Sequence, residues 1–176
     1  MAEIVVLMLV PEIEGSATLV GTDPQDGSHE GWLPVESCSF TFSRDASAVD
    51  SISDEEGEGV KPVTTAAPVV IKRRADGSTA PLLAWLADKQ APLKEKVLID
   101  FCLPSGRFYL RYELRDVEIV SCTIGFNAPD ALSETITLTY GHITIVHRPI
   151  DITGEVDITG EGMAEYEVPR SEGSQG

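Results

Sequence analysis

The stretch VLIDFCLPSGRFYLRYELRDVEIVSCTI, residues 97–124, decides how the chain is read. Val97, Ile99, Phe101 and Leu103 alternate with other residues up to a turn at Pro104-Ser105-Gly106. Beyond it, Phe108, Leu110, Tyr112 and Leu114 alternate with Tyr109, Arg111, Glu113 and Arg115. Period-two alternation on both sides of a Pro/Gly turn predicts a β-hairpin with one buried and one wet face. At Arg115-Asp116 the phase slips by one residue, and Val117 and Ile119 carry the apolar face onward. A one-residue slip reverses which side chains point inward, so a bulge or bend belongs there. Long strands with phase breaks are how a sheet curls, and the scaffold expected is a β-barrel.

Upstream, Glu3–Val10 is long enough for one buried strand, with Ser16–Val20 a candidate to pair with it. Trp32–Ser43 reads WLPVESCSFTFS and sets Cys38, Phe40 and Phe42 on one face. Ser37, Ser39, Thr41 and Ser43 fall on the other, which is small, polar and uncharged. That face is either an ordinary solvent-facing strand or a smooth wall toward a channel or cargo. Arg44–Pro62 is a long acidic connection, functional or simply solvated. Val63–Arg74 resumes as a strand ending in Lys72-Arg73-Arg74, too few cations for a nucleic-acid patch but candidates to meet an acidic loop of a neighbouring subunit. Asp76–Gln90 carries a helix: Ser78 or Thr79 caps it, Pro81 suits its first turn, and Leu82, Trp85 and Leu86 form one apolar stripe. Its expected role is to cover one side or end of the barrel.

Downstream, Asn127–Ala131 turns the chain and Glu134–Arg148 is a long strand. Its apolar parity changes from Ile136, Leu138 and Tyr140 to Ile143 and Ile145 at Gly141, which implies a second bend. After Pro149 come an imperfect duplication, DITGEV then DITGEG, and a run of Gly, Ser and acids, read as a flexible tail or interaction segment. The expected division is a barrel domain over 1–149, with its acidic loop at 44–62, and a tail over 150–176.

The formal charge of −16 on 176 residues is concentrated outside the expected core. Residues 45–60 hold six acids and no Lys or Arg, and 151–176 hold seven acids against one arginine. Such a chain repels nucleic acid and anionic membranes. The opening MAEIVVLMLVP has no basic start and ends its apolar run at Pro11, unlike a signal peptide, and no stretch is long enough for a membrane helix. Three cysteines, Cys38, Cys102 and Cys122, cannot all pair and are expected as reduced, mostly buried thiols. No phosphate loop, dinucleotide fingerprint, zinc-protease helix or nucleophile elbow occurs. His142 and His147 are five apart on one strand, on opposite faces, which disfavours a shared metal. The expectation is no catalytic residue, no cofactor and no metal. The wet face with Arg111, Glu113 and Arg115 is either a solvated face or a contact that sets register against an identical neighbour.

The order of these pieces resembles one family. A first strand leads to a loop carrying SHEGW, then to serines between aromatics, a long variable loop and the helix TAPLLAWLA. FYLRYELRDVEIVSC and SETITLTYGHITIVHRP follow. Tyr109-Leu110, Leu114, Asp116-Val117 and Ser121 are similar to the central strand of the haemolysin-coregulated protein (Hcp) family, the inner-tube proteins of type VI secretion systems. Glu134, Ile136, Leu138, Tyr140, Ile143 and Ile145 are similar to its last strand. The resemblance covers roughly residues 3–149. It implies a small β-barrel of two antiparallel sheets with one short flanking helix, forming hexameric rings that stack as a hollow tube. It also implies a sheath around the tube, a spike protein at its end and effector proteins as cargo. The family's lumen wall falls on Val35–Ser43, with Ser37, Ser39 and Thr41 as its polar positions. The strongly acidic loop and the acidic tail depart from the family pattern.

Three readings follow. The first is a homohexameric tube subunit that carries or chaperones effectors without catalysis, cytoplasmic before firing and exported without a cleavable signal. The second is a stand-alone β-barrel binding or adaptor module that has lost tube assembly, for which a gap in the barrel interior would be the sign. The third is a hydrolase on an unrecognised β scaffold.

Overall fold

The computed structural model describes residues 3–19, 28–44, 64–127 and 131–168. The acidic loop beyond Arg44 and the last residues of the tail lie outside this range. The strands are β1 (Val5–Leu9), β2 (Leu33–Val35), β3 (Ser37–Ser39), β4 (Phe42–Arg44), β5 (Thr64–Ala66), β6 (Val69–Arg74), β7 (Lys94–Cys102), β8 (Phe108–Asn127), β9 (Ala131–Thr139), β10 (His142–His147) and β11 (Gly162–Glu167). One helix, α1 (Thr79–Ala87), lies between β6 and β7.

β8 belongs to two sheets. Its first half lies between β7 and β10, in the order β2-β1-β7-β8-β10-β11, and its second half pairs β9 in the order β8-β9-β6-β3. All pairings are antiparallel. The change of sheet falls where the alternation breaks: Asp116 has a φ of 53°. Leu114 is buried before it, and Val117 and Ile119 after it. Opposite stands Gly141, where an added Cβ would lie 3.2 Å from the Asp116 Cβ. The expected strand Glu134–Arg148 is therefore two strands on one edge of β8, separated by Tyr140-Gly141. A second register shift, between Ile119 and Ser121, returns even-numbered residues to the inner face.

The hydrogen-bonded path does not close into a barrel. Its two ends, β2 and β3, are consecutive pieces of one stretch, and the N–H of Glu36 between them donates to Lys72 O at 2.9 Å. Trp32–Ser43, read from sequence as one strand, is thus three: β2 on β1, β3 on β6 and β4 on β5. Val63–Arg74 likewise divides into β5 and β6. The segment near Ser16 does not pair with β1. Ala17 exchanges hydrogen bonds with Trp32 O and Gly31 N, and Gly15 lies so close that a Cβ there would sit 2.3 Å from Trp32 O.

Met8, Leu33, Ile71, Ile99, Leu114, Ile136 and Leu138 fill the space between the sheets. Helix α1 adds Leu82 and Trp85 to this cluster, so it covers the core as expected. Its N-terminus is held differently from a simple serine cap. Ser78 makes no cap bond; the Asp76 carboxylate accepts from its N–H, and Arg73 donates to its hydroxyl at 2.7 Å. Arg73 is fully buried between Asp76 (2.6 Å) and Glu134 (3.1 Å), so it does not face a neighbouring subunit. Lys72 and Arg74, on the opposite side of β6, are exposed.

Two further parts depart from expectation. Past Pro149, DITGEV and DITGEG open on the same Asp–Thr contact, with Asp151 Oδ1 accepting from Thr153 and Asp157 Oδ1 from Thr159, but the first continues as a turn and the second as a short 3-10 helix. The chain then forms β11, paired along all of β10, and the Tyr166 hydroxyl donates to Thr64 O at 2.8 Å. The outer face of β1-β7-β8 also has a cover, in which Leu7, Ala17 and Trp32 pack together. Beneath it lies a buried ion group. Arg111 clasps Asp100 through Nε at 2.6 Å and a terminal nitrogen at 2.7 Å, and His29 Nε2 meets the same carboxylate at 2.8 Å.

Two substitutions test these constraints. Asp116→Val forces a β-branched residue into left-handed backbone, which is expected to cost about 1–2 kcal/mol, read as a lower urea midpoint at unchanged slope. Arg111→Met strands a buried carboxylate and is expected to cost about 3–5 kcal/mol, with Asp100→Asn on top of it recovering part of the loss.

Candidate functional site

The outer face of β8-β9-β6-β3 is built by plain alternation. Ile71, Ile136 and Leu138 point inward and are buried, so their neighbours along each strand point out. Register lines these neighbours into rows: Ser39, Val70, Thr137 and Ser121 in one, and Ser37, Lys72, Thr135 and Thr123 in the next. Arg74 and Ser133 begin a third row, where the Ser133 hydroxyl donates to Gly125 O. Thr41, just past β3, is exposed, and its carbonyl accepts from Ala67 N at 2.8 Å. Ser37, Ser39 and Thr41 therefore belong to a larger hydroxyl surface. Thr123, Ser133, Thr135 and Thr137 were not singled out from sequence, and Ser121 only within the family's central-strand pattern, although VSCT and SETITLT carry the same alternation.

Chemically this face is wet but almost uncharged. Short hydroxyls both donate and accept, so they satisfy a partner's polar groups without demanding one geometry. Lys72 and Arg74 are the cations in its rows. Beside it, Cys38 packs against the core, and burial pushes its thiol from an ordinary value near 9.0 up to about 11. A thiol kept protonated in this way is a poor nucleophile. None of the three cysteines forms a disulfide; Cys102 is buried, and Cys38 and Cys122 are half-buried.

The charged face of the central hairpin is divided. Arg111 does not project outward, because it is bound to Asp100 and lies 4.0 Å over the Phe108 ring. Glu113 and Arg115 pair with each other at 2.8 Å, and Lys96 approaches Glu113 at 3.4 Å. Burial raises the Glu113 carboxyl, but Arg115 and Lys96 beside it outweigh that and hold it below the usual range.

His29, Asp100 and Cys102 offer three possible metal-ligand atoms within 4.8 Å of one another. Both Asp100 oxygens are already bonded to the Arg111 guanidinium, and its positive charge opposes a cation at the same carboxylate. The group is not a nucleophilic relay either. One ring atom, His29 Nε2, meets both Asp100 and Cys102 Sγ (3.6 Å), whereas a relay needs one nitrogen for each. His142 and His147 stand at opposite ends of β10. No helix among the described residues is long and apolar enough to cross a membrane.

The architecture has known counterparts. A structure described as a type six secretion system protein superposes with a TM-score of 0.74 at 16% identity, covering 94% of this chain and 96% of the other. Hcp1 from Salmonella typhimurium gives 0.67 at 15% identity, with 95% of both chains covered. Secreted Hcp3 from Pseudomonas aeruginosa gives 0.57 at 17%, covering 96% of this chain and 100% of that one. At these identities the likeness speaks for the fold. By sequence, no curated protein matches the chain. The family model for the type VI secretion system effector Hcp, in contrast, matches residues 12–147. Matched over most of its length and folded like the solved members, the chain belongs to the Hcp family, the tube proteins of type VI secretion.

Proposed function

We propose that this tube subunit assembles into hexameric rings and carries effector proteins through the ring lumen, without catalysis of its own. The hydroxyl face of β8-β9-β6-β3 is the lumen wall, with Ser37, Ser39 and Thr41 at its β3 edge. The single observation that carries this reading is the recurrence of hydroxyls on that face: serines and threonines fill the outward positions in register on β3, β9 and β8, with Val70 and Lys72 of β6 between them. A wall of this kind solvates a passing protein and holds it weakly. Sheath, spike and effectors are its partners by family membership, and it acts in the cytoplasm before export. Arg115, exposed on the other sheet beside the half-buried Glu113, is available for contacts between subunits.

The stand-alone binding module has less support, since the residues between the sheets leave its interior filled. Met8, Leu33, Ile71, Ile99, Leu114, Ile136 and Leu138 are all under 2% exposed.

Sedimentation velocity and negative-stain images of the purified chain at micromolar concentration are expected to give six-membered rings; monomers throughout would overturn the proposal. Ser39→Arg or Thr41→Arg is expected to leave rings intact and to abolish co-purification of an effector. Undiminished effector on such rings would remove β3 from the lumen.

A further inference from the structure

The β4–β5 pair stands apart from both sheets. It continues the β3–β6 pairing, but both strands break between the two, at Phe40-Thr41 on one side and Ala67-Pro68 on the other. The break is itself well held. Ala67 N–H donates to Thr41 O at 2.8 Å, and the buried Tyr140 donates its hydroxyl to Ala67 O at 2.9 Å. Pro68 brings no N–H that could carry the ladder through. Beyond this pivot the pair reaches the β10–β11 edge of the first sheet, where Tyr166 receives it. The Tyr166 hydroxyl donates to Thr64 O at 2.8 Å, and its ring stands edge-on to Phe42 with centroids 4.7 Å apart. One side chain thus touches both strands that carry the acidic connection between Arg44 and Thr64.

Elsewhere the contact is slack. Every residue of β4 is exposed. An apolar cleft of about 200 Å³ separates Phe40 and Phe42 from Ile143, Ile145 and Ala164. Well-packed surfaces leave few gaps larger than a water molecule, so these two meet without interlocking. The tail strand is held no more firmly. β11 is the outermost strand of its sheet and pairs along all of β10, yet Tyr166 is its one side chain that is not exposed. A neutral hydrogen bond and an edge-on ring pair together favour the closed arrangement roughly ten- to a hundredfold. That leaves an open state populated at roughly 1–10%.

We infer that β4–β5 is a hinged arm, pivoting beside Tyr140 and latched to the tail strand by Tyr166. The tail and the acidic connection then form one coupled device. While β11 is docked, Tyr166 fixes the direction in which the chain leaves at Arg44 and returns at Thr64. When β11 peels from β10, the arm loses its hydrogen bond and its ring contact together. Coupling of this kind is reciprocal, so whatever holds the arm also holds the tail. Tyr166 is a positioning residue that acts through Phe42 and Thr64, and its role is the same in a single subunit as in a ring.

Hydrogen exchange on the full chain, read segment by segment, tests the latch. Tyr166→Phe keeps the ring and removes the hydroxyl, and is expected to speed amide exchange in β4–β5 about threefold to tenfold. Phe42→Ala removes the ring contact from the arm's side, at a half-exposed position outside both sheets. It is expected to speed exchange in β4–β5 and, by reciprocity, in β11 as well. For both variants, exchange in β8 and β9 is expected to match the native chain. Exchange in β4–β5 that neither substitution moves overturns the latch. Exchange in β11 that Phe42→Ala leaves unchanged overturns the coupling. Faster exchange everywhere, β8 and β9 included, overturns a local hinge in favour of general loosening.

Discussion

Asp116 and Gly141 hold the structure's geometry between them. With Asp116 in left-handed backbone and no side chain opposite at Gly141, a twenty-residue strand can turn from one sheet into another without losing its partner. Pairing resumes on both sides of the break: Arg115 faces His142 and Glu118 faces Thr139. Because the bend reverses the parity of the strand, both halves present apolar side chains to the same interior. The core between the sheets exists because this one strand is shared.

The bend also explains why the two outer faces differ. The first sheet is backed by Ala17 and Trp32, under which Asp100 and His29 are sealed, with Arg111 half-buried at their edge. Charges taken out of water there are tolerated because each has a partner, and the bidentate clasp of Arg111 on Asp100 supplies most of that compensation. The second sheet has no such layer among the described residues, and its outer face is left to serines and threonines. One sheet is closed by its own chain, and the other, among the described residues, is not.

Much of this was legible from local pattern. The central hairpin, the slip at Arg115-Asp116, the change of parity at Gly141 and the covering role of α1 all follow from alternation or helical spacing. These are short-range signals, and the core enforced them. Where sequence reading went astray, a distant partner decided. Trp32–Ser43 alternates like one strand, yet its pieces pair with β1, β6 and β5 in turn. Arg73 and Arg111 look like surface cations until Glu134 and Asp100 are placed beside them. The stretch after Pro149 has too little apolar pattern to announce a strand, and β10 provides the edge on which it pairs.

The sequence by itself determined that the chain is mainly β, where its longest strand must bend, and that a neutral hydroxyl stretch lies at Ser37–Thr41. Those properties reside in the period of two and in single residues such as Gly141. Only the tertiary structure decided that Ser121, Thr123, Ser133, Thr135 and Thr137 lie on the same outer face as that stretch. It likewise decided which cations are buried and that Tyr166 meets the β4–β5 pair. Register between strands far apart in sequence sets all three, and alternation within one strand cannot specify which other strand lies beside it.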